Sequence, residues 1–260
     1  MKSALLKSAL FTMAAIPVLL SVPALAQATS PVVVAAVADT TRPGKDTVQD
    51  AVRHPAELLA FAKVKQGDVV VDVWPGGGYW TRIFSTIVGP NGKVHAFVPA
   101  EIADFKSDPV GLAKAIQAEP GHGNVAASSH PVGEQPPPAS YNTVDVVWTF
   151  ENYHDLHDSF MKGADVNAFN KAVFKLLKPG AYYVIADHAA AAGSGLKNTE
   201  DLHRIDPAAV KAEVESAGFV FDGESRVLAN SDDDHALKIF DPAMRGKTDR
   251  FVFRFRKPAQ

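Results

Sequence analysis

The chain has 260 residues, with 26 basic and 29 acidic side chains, a formal net charge of −3 and no cysteine. That length allows one large domain or two small ones, and 47% hydrophobic with 21% charged residues is the balance of an ordinary globular protein. The missing cysteine excludes disulfides, thiolate nucleophiles, iron–sulfur clusters and thiolate-bound zinc, and the charge balance excludes the large cationic field that nucleic acid or an anionic membrane would require.

Residues 1–26 form the first predicted element. Lys2 and Lys7 supply a positive start, residues 9–20 are apolar apart from Thr12 and Pro17, and Ala24-Leu25-Ala26 offers small residues at a cleavage site. This pattern is a secretory signal peptide. The apolar run is shorter than the roughly 20 residues of a membrane span. Cleavage after Ala26 would leave a periplasmic or secreted chain with no stable membrane span. Residues 27–45 read as a flexible lead-in, with Val32 to Val37 able to pair as an edge strand. Residues 46–260 read as a single domain.

Residues 46–63 predict two short helices, the second with Pro55 in its first turn, where a missing N–H costs nothing. Residues 69–73 (VVVDV) predict a buried parallel strand. Gly76-Gly77-Gly78 follows, then a helix over 79–88 and a strand over 93–98. A helix over 100–118, a weak strand over 125–129 and a rigid loop at Pro136 to Pro138 come next. Residues 143–150 predict a strong strand, 157–177 a helix and 181–187 another strand. Asp206 and Pro207 open a helix that Gly218 closes. Residues 219–228 and 250–256 are late strands. The alternation of strand and helix predicts an α/β fold, a doubly wound and mainly parallel sheet with an antiparallel terminal hairpin.

In such a sheet, ligands bind beyond the carboxyl ends of the strands, where glycines admit a close approach to the backbone. The run from Val69 to Gly78 (VVVDVWPGGG), Val144-Asp145-Val146-Val147 and Lys178-Pro179-Gly180 resemble the motifs of class I S-adenosylmethionine-dependent methyltransferases. The resemblance spans about residues 55–256 and implies a Rossmann-like methyltransferase sheet. Pro75-Gly-Gly-Gly-Tyr-Trp-Thr81, Asp187-His188 and residues 246–251 (GKTDRF) further resemble an exported bacterial branch known only as predicted methyltransferases. The resemblance implies S-adenosyl-L-methionine as cofactor, held by Asp72, Gly76, Gly77, Gly78 and Tyr79, with Asn152 and Tyr153 beside it. Two positions depart from the motif. Trp74 replaces the first glycine, and Val98 stands where the family carries a ribose-binding acid. Glu101, three residues on, is the candidate substitute.

The segment from Phe150 to His157 crowds Glu151, Asn152, Tyr153, His154 and Asp155 after a strand end. His154 reads as a general base, and His188, ending the next strand, joins it toward a small-molecule acceptor. Imidazole and carboxylate also suit zinc, iron or manganese, but the spacing lacks the His-Glu-x-x-His pattern and no metal site is assigned. His203-Arg204 reads either as a segment closing over the pocket or as a helix cap with an exposed arginine. Ser231 to His235 reads as a solvated loop, with calcium binding or pairing to Arg245 and Arg250 as the alternatives. The functional expectation is methyl transfer to a small molecule. The alternative is an exported non-catalytic protein that reuses the fold to bind a small molecule or metal.

Overall fold

The structure, a computed structural model, describes residues 29–134 and 140–259. The expected signal peptide and the Pro136 to Pro138 loop lie outside the described residues.

Four short helices come first: α1 (Pro31–Val37), α2 (Gly44–Thr47), α3 (Asp50–Arg53) and α4 (Pro55–Ala62). Strand β1 (Val69–Val73) leads into α5 (Tyr79–Val88), and β2 (Lys93–Pro99) into a 3-10 turn at Ala100–Ile102 and α6 (Pro109–Ala118). Then follow β3 (Val125–His130), β4 (Val144–Phe150), 3-10 turns at His154–His157 and Ser159–Met161, and α7 (Val166–Leu176). β5 (Leu177–His188), α8 (Thr199–Leu202), α9 (Pro207–Ser216), β6 (Val220–Ser225) and β7 (Arg250–Arg256) complete the order.

All seven strands join one sheet in the order β3-β2-β1-β4-β5-β7-β6. The pairs among β1 to β5 are parallel, and β7 runs antiparallel to both β5 and β6. β1 is hydrogen-bonded on both sides, which is why its sequence is a near-continuous valine run: Val70, Val71 and Val73 are fully buried. Each such side chain contributes on the order of 1.5–3 kcal/mol relative to exposure. The parallel strands bring Val73, Pro99, Phe150 and His188 to one edge of the sheet. Antiparallel β7 brings its first residue there too, because Arg250 pairs with His188.

Four expectations are corrected. The expected flexible lead-in is folded over its described residues: α1 packs Val33 and Ala36 into the core against α4 and α5. Val32 to Val37 is helical rather than strand, with Pro31 at its first turn, because packing outweighs the strand preference of its valines. The helix expected from residue 100 starts at Pro109, after Asp108 accepts a hydrogen bond from the Gly111 N–H. The helix expected from residue 157 starts at Val166, capped by Asp165, because Lys162 and Gly163 both sit at positive φ.

Candidate functional site

The glycine loop leaves β1 through Trp74, whose φ is +58°. The family-like motif has glycine there, and the tryptophan takes the left-handed backbone that glycine would. Its N–H donates to the Phe97 carbonyl at 2.7 Å, which fixes the loop against β2. Gly76 follows at φ +54°. Gly77 has an ordinary φ, and nothing lies within 4 Å of where a Cβ would stand. Neither the turn nor packing requires glycine at 77, so its bare backbone faces open space. Gly78 is different: a Cβ there would collide with Ile116, so packing accounts for it. α5 then begins without a side-chain cap, which leaves first-turn N–H groups for a ligand.

Asp72, Gly76, Gly77, Tyr79 and Asn152 line one cleft of about 120 Å³, together with Arg53, Trp80 and Phe150. Burial raises the Asp72 carboxyl to about 7, partly offset by the hydrogen bond it accepts from the Thr81 hydroxyl at 2.6 Å. Asn152 Nδ2 donates to the carbonyls of Val73 and Trp74 at 3.1 and 3.3 Å, so its amide pins the loop. The Tyr79 hydroxyl donates to Asp50 at 2.6 Å, which ties the amino-terminal helices to the cleft. Trp80 packs in the core against Trp148 and Phe150.

Arg53 was not legible in the sequence. Its guanidinium lies 4.4 Å from the Tyr79 ring centroid and 5.4 Å from that of Phe150, and it forms no ion pair among the described residues. No motif marks it. The backbone turn at His54, with φ +46°, delivers it to the cleft.

A second cavity of about 360 Å³ shares Arg53 with the first and adds Glu151, His188, Phe240, Arg245, Thr248 and Arg250. Arg250 donates to Glu151 at 2.7 Å and to the Val52 carbonyl at 2.8 Å. His188 Nδ1 lies 2.8 Å from the Thr248 hydroxyl, which leaves Nε2 as the nitrogen available to the cavity. Burial lowers the His188 pKa, so the ring is neutral near pH 7. A wider depression of about 700 Å³ lies at the opposite end of the sheet around Gly89, Lys93 and Gly121, away from the strand ends where this fold binds ligands.

Two of the expected residues hold other positions. His154 is fully buried, with Nδ1 2.7 Å from Asp187 and Nε2 3.2 Å from Asp155. Burial alone would lower its proton affinity, but Asp187 first and Asp155 next outweigh it and hold its pKa well above the usual histidine value. With both nitrogens engaged by carboxylates, His154 has no lone pair for general-base work, and it lines neither cavity. Tyr153 points away from the cleft: its hydroxyl donates to Glu213 at 2.9 Å and accepts from Asn170 at 2.8 Å.

Glu101 stands in the turn after β2. One carboxylate oxygen accepts from the Val132 N–H at 2.9 Å, and the other is buried with no hydrogen-bond partner among the described residues, although Glu101 does not itself line the cleft. An orphaned buried acceptor is what a hydroxyl-bearing ligand would satisfy.

Arg204 is fully buried, not exposed, and pairs with Asp233 of the acidic loop at 2.8 Å. The loop is therefore docked through Asp233 while Asp232 and Asp234 stay exposed, and among the described residues neither Arg245 nor Arg250 pairs with it.

The strand order, the glycine loop at the end of β1 and the reversed β7 define the Rossmann-like methyltransferase fold. Solved structures share it. A SAM-dependent methyltransferase from Aquifex aeolicus is 21% identical, with 82% of this chain and 95% of that chain covered at a TM-score of 0.59. The 4+2 cyclase SpnF is 15% identical, with 83% and 81% covered at 0.55. CrArsM, an arsenic(III) S-adenosylmethionine methyltransferase from Chlamydomonas reinhardtii, is 15% identical, with 89% and 74% covered at 0.52. No protein-family model matches the sequence, and no curated protein matches it. Likeness at these identities establishes the fold, and one neighbour carries a cyclase's name on it.

Proposed function

We propose that the protein binds S-adenosyl-L-methionine at the glycine-loop cleft and transfers its methyl group to a small acceptor in the adjoining cavity. The observation that carries this is Gly77, a glycine that neither backbone conformation nor packing demands, beside a helix start whose donors lack a cap. The residues present fit the cofactor's chemistry. The orphaned Glu101 oxygen suits a ribose hydroxyl, and Arg53 and the α5 amino terminus suit a carboxylate. The cofactor supplies an activated methyl group, and the protein supplies orientation and a base. His188 takes the base role expected of His154, because it is neutral and faces the second cavity. Arg53, Arg245 and Arg250 against Glu151 give that cavity a positive excess, which favours an acceptor with an anionic group.

The 120 Å³ cleft is narrower than the roughly 300–1,000 Å³ usual for ligand sites, so cofactor entry requires it to open. Titration calorimetry of the full chain with S-adenosylmethionine and S-adenosylhomocysteine is the direct test. Micromolar binding that Gly77→Val abolishes and Arg53→Ala weakens is the expected result. A folded protein giving no heat with either compound would turn the search to a different ligand for the same cleft.

Residues 1–26 support export to the periplasm or beyond, within the exported branch that the PGGGYWT motif resembles. No helix among the described residues is long and apolar enough to cross a membrane. Amino-terminal sequencing of the protein from a fractionated cell would read Gln27 first if cleavage follows Ala26.

A further inference from the structure

Beside the second cavity, two imidazoles and two carboxylates converge where the turn after β4 meets α8. His154 Nε2 lies 3.2 Å from Asp155 Oδ1, and His203 Nδ1 lies 3.5 Å from the same oxygen. One donor atom from each of these three residues falls within 4.8 Å of every other. Donors bonded at about 2.1 Å to one tetrahedral ion stand about 3.4 Å apart, the spacing that Asp155 Oδ1 already has to each imidazole. Asp158 Oδ2 is 4.0 Å from His203 Nδ1, within reach of a fourth corner after a small shift.

Asp158 provides the independent observation. Its side chain is 1% exposed, yet neither carboxylate oxygen has a hydrogen-bond partner among the described residues. The nearest donor, the Thr199 hydroxyl, also faces the Leu196 carbonyl at 3.3 Å and satisfies the carboxylate only in part. A carboxylate so buried is costly unless a proton or a cation neutralises it. His154 is also already dressed as a ligand. Its Nδ1 faces Asp187 at 2.7 Å, the carboxylate–histidine arrangement that orients a metal-bound imidazole and leaves Nε2 for the ion. Asp155 and His203 are 16% and 22% exposed, so one side of the cluster opens to solvent for entry.

We propose that His154, Asp155, Asp158 and His203 form a binding site for a divalent transition-metal ion of zinc-like preference. Two imidazoles and two carboxylates with no thiolate suit zinc, manganese or iron over soft ions. The ion takes the place of the proton on His154 Nε2, which is released to solvent. It ties the turn after β4 to the segment after β5 and so braces the wall that separates the core from the His188 cavity. This site is independent of the cofactor proposal.

The test is cobalt(II) titration of the chelator-treated full chain, followed in the visible spectrum, with displacement by zinc. The expected result is one equivalent of cobalt with tetrahedral-type d–d bands, lost on adding zinc. His203→Asn removes a ligand while keeping a residue that tolerates the positive φ of +54° at 203, so its fold should survive. It and Asp158→Asn should each weaken binding by about tenfold or more. His235→Ala, in the acidic loop but outside the four ligands, should bind as the parent does. A parent chain without d–d bands, or a folded His203→Asn variant that binds as tightly as the parent, would overturn the proposal.

Discussion

The ring of Trp74 meets the ring of Phe160 edge-on, at 88° with centroids 6.2 Å apart, and Phe160 in turn lies 5.6 Å from Phe105. This aromatic bridge joins the glycine loop to the turn after β4 and to the segment after β2. It spans the elements that the cofactor would have to separate, and it offers a physical cause for the narrow cleft.

Removing the bridge should therefore ease entry. Phe160→Ala is expected to raise the association rate of S-adenosylhomocysteine severalfold, read by stopped-flow tryptophan fluorescence. Trp74→Gly should act in the same direction, and it relieves a left-handed backbone that costs a non-glycine residue about 1–2 kcal/mol. An unchanged association rate in both variants would place the barrier elsewhere.

Glu101 separates two roles on its two oxygens. Glu101→Gln keeps an acceptor for the Val132 N–H but loses the charged acceptor at the orphaned position. Cofactor affinity should fall by about tenfold, as for a lost hydrogen bond to a charged group. Tm should change little. A Tm drop with unaltered affinity would mean that Glu101 only anchors the loop.

Asp72 links the site to stability. Burial raises its carboxyl to about 7 from 3.8, so between those values the folded chain holds a proton that the unfolded chain has released. The stability from this group is complete below about pH 4 and is lost as pH rises through about 7. Asp72→Asn cannot ionise. Its stability relative to the parent should rise across that window by on the order of 2–4 kcal/mol. Urea denaturation at several pH values from 4 to 8 measures the difference. A pH-independent difference would contradict the raised pKa.

Arg204 and Asp233 form a buried ion pair in which neither side chain is exposed. Arg204 also donates to the carbonyls of Ala189 and Leu237, so it holds the acidic loop against the end of β5. Asp233→Ala should destabilise the protein by about 3–5 kcal/mol, because it strands a buried guanidinium. Replacing both residues with apolar ones of similar volume should recover much of that loss. Thermal melts of the single and double variants decide it.

The sheet was legible because each central strand announces itself. The valine run at β1 and the segment ending at Phe150 carry their own burial, and Arg250 to Arg256 matches its observed strand. Helix starts were read well where Pro follows a cap, as at Asp206-Pro207. The same signal stands at Asp108-Pro109, where α6 begins, later than the start expected at residue 100. The site was read by topology, which brings residues to an edge but does not say where their side chains turn. Hence Gly77 and Asn152 reach the cleft as expected, whereas Tyr153 turns to Glu213 and His154 to Asp187. Arg53 carries no sequence signal, because only long-range packing brings it to the cavities, and Thr248 lies in the GKTDRF motif without a role that the motif alone assigns.

The place of β7 has a consequence for biosynthesis. The last strand made is an interior strand, inserted between β5 and β6. On the ribosome β5 waits with an open edge until Arg256 has emerged. Only then does Thr248 reach His188, and Arg250 reach Glu151. The second cavity thus assembles only after β7 has emerged, and a chain stalled before residue 250 exposes an unpaired strand edge that invites aggregation.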